Sequence, residues 1–307
     1  MSRGPQPLID LSRVAAPPVV VPPDVEQIVA ARKSGVVEKI RLMDADLAAE
    51  VEAILTLESE PMTKVEEAGA YRELIHYARV NEAALDVMLA FSRGENLDRL
   101  GDYYGVPRLV VTPPDPAAGT PAVMEDDESY RRRIQLSPEA LSTAGPAGAY
   151  VFHALSVSAD VLDAGIVVPQ PGRVEVHVVT RSGDGTPSPE LLTAIAAHLR
   201  DDTVAPLTDQ VSVLPPAFVD FAIGARLFIG RGPDPLTVKT AAVASLRAYL
   251  DKRKRIGVAV PLSGIIAALH VSAVDRVAID APLADVVPAP GGFARLTTVN
   301  VTTEIAP

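Results

Sequence analysis

The chain has 307 residues, with 28 Lys and Arg against 39 Asp and Glu, and a formal net charge of −11. Its 48% hydrophobic and 22% charged content is that of a soluble globular chain, and its length suggests roughly two domains. The lack of cysteine excludes disulfides, thiolate nucleophiles and Cys-ligated zinc, and the acidic balance argues against nucleic acid or an anionic membrane as main partner.

No apolar run reaches the roughly 18 residues of a membrane-spanning helix. The start, MSRGPQPLIDLSR, lacks the apolar stretch of a secretory signal, so folding in a cytosol is expected. Proline is abundant, at 28 residues, while aromatics are only 4% and tryptophan is absent. Such a chain has many fixed corners and extended arms, which disfavours an aromatic-lined small-molecule pocket. The five histidines, His76, His153, His177, His198 and His270, include no HExxH spacing and no two within one helical turn. A compact histidine metal site is therefore not expected, unless the fold gathers distant ones.

Residues 1–24 carry Pro5, Pro7, Pro17, Pro18, Pro22 and Pro23 around Leu8, Ile9 and Leu11. Proline fixes φ and removes a donor, so an extended arm is expected. The three apolar residues have no local core and suggest an arm that becomes ordered on a neighbour.

Residues 25–106 lack strand alternation and predict a helical domain. Tyr71, Leu74, Ile75, Ala78, Leu85, Met88 and Leu89 follow the spacing of an amphipathic helix. Asn81 falls inside that stripe, either as a satisfied core amide or as a register-fixing contact to another helix. Gly94 is expected to end this helix. A short one follows through Leu97, Leu100 and Tyr104, stopping at Gly105-Val106-Pro107. Residues 1–145 hold 24 acids against 15 bases, and the rest 15 against 13, so the negative charge is concentrated in the first part.

Residues 107–145 read as a proline-rich linker and a charged helix. The acidic run Glu125–Glu128 precedes Arg131, Arg132 and Arg133. Asp127/Arg131 and Glu128/Arg132 are i,i+4 pairs in the favourable order, which predicts a self-neutralised, solvated face. Docking of the arginines on an acidic partner is the sharper alternative.

Beyond residue 145 the period changes to strand alternation at Val174, Val176 and Val178, and again at Phe221 to Ile229. Each strand leads through a Gly/Pro turn into a helix, through Leu191 to Leu199 and through Ala242 to Leu250. Further strands are expected at 211–214 and 274–279, with a helix through Leu262 to Leu269 before the second. The fold class is thus α+β. A helical N-terminal part is followed by two small α+β modules, at 146–214 and at 215–307 with a C-terminal tail, and they resemble a weak internal duplication.

No motif supports catalysis or a cofactor. The turns Gly183-Asp184-Gly185 and Gly230-Arg231-Gly232 complete neither GxGxxG nor GxxxxGK[ST]. Pro187, Pro189, Pro233 and Pro235 also lack the N–H groups a phosphate cradle uses. The acids Asp201-Asp202 and Asp160/Asp163 read as solvated groups at turns or helix ends. A hydrolase or lyase built on such unpaired carboxylates is the alternative function. The run Asp251-Lys252-Arg253-Lys254-Arg255 reads as cations closing a helix.

Three stretches together carry a family likeness: IDLS at 9–12, AYRELIHYARVNEAALDVMLAFSRGENLDRLGDYYGVPRL at 70–109, and AVMEDDESYRRRIQLSPEALSTAGPAGAYVFHALS at 122–156. Val161, Asp163, Pro171-Gly172, Gly183-Asp184-Gly185, AALHV at 267–271 and APLAD at 281–285 extend it. The chain resembles the baseplate J-like wedge family of contractile-tailed phages over nearly its whole length. The resemblance implies a non-enzymatic structural subunit that joins other copies of itself into a ring around the hub and spike. It further implies neighbours in a sheath-initiating lysozyme-like wedge protein and tail protein I, and assembly in the bacterial host cytoplasm, with no cofactor, nucleic acid or membrane insertion. Phage-derived tailocins and contractile injection systems use the same family. The candidate interface residues are Leu8, Ile9 and Leu11 in the arm, Leu74, Asn81 and Leu85 on the stripe, and Arg131, Arg132 and Arg133.

Overall fold

The computed structural model describes residues 9–142, 145–201, 204, 206, 208–232 and 234–305. The fold is α+β, and the chain divides into two units. One spans Asp10–Leu100; the other holds Ile9 and the chain from Gly101 onward.

The first unit is helical. A single 3-10 turn at Leu11–Arg13 precedes the proline-rich segment. Pro22-Pro23 then gives way to Asp24, which opens α1 (Val25–Arg41) with a reciprocal cap: its carboxylate accepts helix N–H groups while Gln27 accepts the Asp24 N–H. Asp44 caps α2 (Ala45–Ile54) by accepting from the N–H groups of Asp46 and Leu47. Val37, Ala48, Val51 and Leu55 form the small core between these helices. The Leu55 carbonyl at the end of α2 is satisfied by Lys33 Nζ at 2.8 Å and Thr63 Oγ1 at 3.3 Å. Pro61 opens α3 (Pro61–Asp86), where its missing N–H costs nothing.

The stripe helix ends earlier than its periodicity predicts. After Asp86 the chain folds into tight turns, with Phe91 and Ser92 N–H both donating to the Met88 carbonyl at 2.9 Å. Met88 and Leu89 therefore lie beyond α3, and Gly94, expected as a terminator, instead opens α4 (Gly94–Tyr103).

In the second unit, α4 closes at Gly105, whose φ of 68° suits glycine. The Val106 N–H returns to the Gly101 carbonyl at 2.9 Å and the Gly105 N–H to Asp102 at 3.0 Å. The proline-rich segment read as a linker forms a short antiparallel hairpin, β1 (Val110–Thr112) with β2 (Val123–Met124). Helices α5 (Asp127–Ala140) and α6 (Ala147–Val157) follow.

The first module's sheet has the order β3-β4-β5. Strands β3 (Val161–Gln170) and β4 (Arg173–Thr180) form an antiparallel hairpin through Pro171-Gly172, with Gly172 at φ 77°. Helix α7 (Pro189–Leu199), capped by Ser188, carries the chain to β5 (Gln210–Leu214), parallel to β4. Val174, Val176 and Val178 of β4 pack with Tyr150 and Ala154 of α6 and Ile195 and Leu199 of α7.

The second module's sheet has the order β7-β6-β8. Strand β6 (Ala217–Ile229) runs antiparallel to β7 (Val274–Ala281) and parallel to β8 (Gly292–Ile305). Helices α8 (Pro235–Asp251) and α9 (Leu262–Leu269) cover it, with Leu227, Leu246, Ile265 and Leu269 fully buried. The 14-residue β8 occupies much of what the sequence reading left as a C-terminal tail. The two sheets share a central strand with one parallel and one antiparallel neighbour. Their connectivity differs, with a hairpin before the helix in the first module and two helices before the hairpin partner in the second, so the likeness does not extend to element order.

Candidate assembly site

The candidate interface residues fall into three regions. Leu8 lies outside the described residues. Ile9 is exposed (71%), and its carbonyl accepts from Gln135 Nε2 at 3.1 Å. Leu11 is half-buried in the 3-10 turn.

The second region is α3 and the segment beside it. Leu74 and Leu85 are half-buried, whereas Tyr71 (61%) and Ile75 (60%), from the same predicted stripe, face solvent. Asn81 is half-buried, and its amide is satisfied by extended backbone and not by another helix. Its Oδ1 accepts the N–H groups of Val19 (3.2 Å) and Val20 (2.9 Å), and its Nδ2 donates to the Val20 carbonyl at 2.9 Å. An extended backbone lacks a partner for its polar groups, and this one amide supplies three. The end of the proline-rich segment is thus held to α3 at Val19 and Val20. Val19 and Val21 remain exposed on that segment.

The third region is the arginine run, which is not a solvated face. Arg131 and Arg133 are 6% and 2% exposed. Glu128 pairs with Arg131 at 2.7 Å and not with Arg132, whose guanidinium donates to Asp163. Arg133 faces Glu125 through Nε (3.1 Å to Oε1) and Nη2 (2.7 Å to Oε2), and Nη2 also reaches the Pro107 carbonyl at 2.6 Å. Arg108 joins the cluster, donating to the Glu125 carbonyl (2.6 Å) and to Asp127 (2.8 Å) while stacking 4.5 Å over the Tyr130 ring. The Tyr130 hydroxyl donates to the Val106 carbonyl at 2.6 Å. These groups tie the segment before β1 to α5. Burial drives the arrangement, because a buried guanidinium needs a carboxylate and carbonyls around it.

Two further groups join the modules, a role the sequence reading gave to neither. Asp163 sits in β3, not at a solvated turn. It is 2% exposed, and its Oδ2 accepts the Ile256 N–H at 2.7 Å. Arg295 of β8 makes a two-pronged pair with Asp220 (2.7 and 2.9 Å) and donates to Asp184 at 2.8 Å, lying 4.2 Å over the Phe218 ring. Arg295 holds the Asp220 carboxyl below its ordinary pKa. The Thr186 N–H, then Arg295, do the same for Asp184. The Gly183-Asp184-Gly185 turn thus presents a carboxylate to the second module, where a phosphate cradle would present N–H groups.

The other paired acids are engaged locally. Asp160 accepts from the Ser182 N–H (2.9 Å) and hydroxyl (2.8 Å), and Asp202 lies outside the described residues. In the basic run, Lys254 pairs with Asp251 at 2.7 Å and Arg253 lies 5.5 Å from the Tyr249 ring centroid. A cleft of about 440 Å³ is lined by Glu125, Ser129, Arg132, Arg181, Lys254 and Arg255 among others. Its mixed charges differ from the apolar lining of a small-molecule pocket. Among the described residues, no group of three or more His, Asp or Glu gathers where a metal ion would fit, and no helix is long and apolar enough to cross a membrane.

The chain is thus a multi-module α+β protein whose modules from Gly101 onward are joined by internal ion pairs and hydrogen bonds. Three family models match in chain order: the baseplate J-like N-terminal domain at 58–115, the central domain at 142–215 and the C-terminal domain at 221–302. The chain belongs to the baseplate J-like family and is a phage-type baseplate structural protein. It is 44% identical over 283 residues to baseplate protein J of Escherichia phage P2, spanning 92% of this chain and 93% of that protein. A chain in the cryo-EM structure of the anti-feeding prophage baseplate, 6-fold symmetrised, matches 48% of this chain and 36% of itself, with 14% identity and a TM-score of 0.35.

Proposed function

We propose that the protein is a non-catalytic wedge subunit of a contractile-tail baseplate, in a phage, a tailocin or a related injection particle. Copies of the chain join into a ring around the central hub and spike. The sheath-initiating lysozyme-like wedge protein and tail protein I are its neighbours, and the particle is assembled in the bacterial host cytoplasm. The observation that carries this reading is the identity to the phage P2 baseplate protein across 92% of the chain. In keeping with it, the acids that an enzyme would need in a cleft are spent on internal pairs.

The faces available to partners are the arm around Ile9 and Leu11 and the α3 surface bearing Tyr71 and Ile75. The arginines at 131–133 act within the chain, fixing α5. Co-expression with the two named wedge proteins should give a complex that survives size exclusion at moderate salt. Cryo-EM of assembled particles should place this chain around the hub. Deletion of residues 1–20 should leave the fold intact and reduce incorporation. Failure to associate, or turnover of a glycan or nucleotide abolished by Asp201→Asn, overturns the reading.

A further inference from the structure

His153 on α6 and His198 on α7 lie 45 residues apart in sequence, and the packing of these helices brings their rings together. His153 Nδ1 and His198 Nε2 are 3.2 Å apart, with ring centroids 5.2 Å apart and planes tilted by 57°. Two imidazole nitrogens bound at about 2.05 Å to one tetrahedral cation would stand about 3.3 Å apart, with centroids about 5.2 Å apart. A linear N–H···N hydrogen bond at the observed nitrogen separation would put the centroids further apart, at about 5.5 Å by the same ring dimensions. The observed pair thus has a spacing that a chelate would have, one it shares with a bent hydrogen bond.

We propose that His153 and His198 form an open two-histidine site for a borderline divalent cation of the Zn²⁺ or Ni²⁺ class. Two ligands come from the protein, and water fills the remaining positions on the exposed His198 side. The bound cation links α6 to α7, the helices that pack on β4 in the first module.

Three features suit the site to a cation. His153 is half-buried on α6, and its Nδ1 faces His198 Nε2. His198 lies in the last turn of the 11-residue α7, where the helix dipole favours positive charge. Arg200, the residue that caps the end of α7, spends its guanidinium on the Val211 carbonyl at 3.1 Å. Imidazole pairs select zinc, nickel and copper over magnesium, which prefers oxygen ligands.

The test is a calorimetric titration of the full chain with ZnCl₂ and, separately, MgCl₂, followed by melting with Zn²⁺ or with EDTA. One Zn²⁺ per chain, a melting temperature raised by Zn²⁺ and not by Mg²⁺, and at least tenfold weaker binding in His198→Gln are expected. His198 is exposed, so the variant should melt like the parent in EDTA. Histidine side-chain NMR of the unaltered protein gives an independent reading: Zn²⁺ should shift His153 and His198 and leave His76 unmoved. Equal response to Mg²⁺, undiminished Zn²⁺ affinity in His198→Gln, or shifts confined to other histidines overturns the proposal.

Discussion

Replacing Arg133 with methionine removes the cation facing Glu125 and keeps most of the side-chain volume. The two side chains are 3% and 5% exposed, so water cannot stand in for the lost guanidinium. Glu125 Oε2 would keep the Leu109 N–H at 3.3 Å, and the Pro107 carbonyl would lose its donor at 2.6 Å. Breaking a buried pair from one side costs about 3–5 kcal/mol, because a charge is left without compensation. For a unit of this size that corresponds to a melting shift of about 6–20 °C. Removing both charges, in Glu125→Gln with Arg133→Met, should recover most of the loss, since a buried pair adds little net stability over a neutral replacement. Arg79→Met is the control: its pair with Glu82 is 77% and 60% exposed and should cost under about 1 kcal/mol. Urea unfolding of the four proteins measures all of these values. A single variant that loses under about 1 kcal/mol, or a double variant no more stable than the single, would refute the reasoning.

Asn81→Ala should release the segment at Val19 and Val20, with a local cost of about 1–3 kcal/mol for three part-exposed hydrogen bonds; amide exchange at Val20 should quicken, and unchanged exchange would disprove the clamp. Arg295→Met should raise the Asp220 pKa toward the ordinary carboxylate range in a ¹³C titration. Because the folded value lies below the unfolded one, this pair stabilises above about pH 4 and its contribution is lost as pH falls through the folded pKa. The variant should therefore show a shallower loss of stability in acid, and an unaltered Asp220 titration would count against the pairing. Gly101→Ala would set a methyl group against the Tyr130 hydroxyl and the Val106 carbonyl and should cost about 1–3 kcal/mol by urea unfolding, partly recovered by adding Tyr130→Phe.

Periodicity found the elements that bury one face. Strands β4 and β6 each expose one side and hide the other, which leaves a readable alternation; on α3 the predicted stripe is only partly the covered face, since Leu74 is half-buried while Tyr71 and Ile75 face solvent. Helix α6 was missed because AGAYVFHALSV is apolar nearly all round and buries seven of its residues. Strand β3 was obscured by Asp163, an acid inside a strand that is tolerated only because Arg132 and the Ile256 N–H satisfy it. Strand β8 carries threonines where a half-buried strand usually carries larger apolar residues. The arginine run misled for a different reason. Its helical spacing offered partners one turn away, but the carboxylates that decide its burial are Glu125, ahead of the helix, and Asp163, in another element. Asn81 was visible as an oddity in an apolar stripe, yet its partner is backbone, which leaves no trace in side-chain pattern.

The Asn81 clamp grips peptide groups and is indifferent to the side chains at its seat. Specificity of position must then come from the supply of N–H groups along the segment. Between residues 17 and 23 the chain reads Pro-Pro-Val-Val-Val-Pro-Pro, so only Val19, Val20 and Val21 can donate. Asn81 occupies two of those three donors. Sliding the segment by one residue toward its start still offers two adjacent donors; every other displacement of up to three residues puts a proline into the seat. The paired prolines thus act as end stops, and they hold the arm to a register that a valine run alone would leave free to drift.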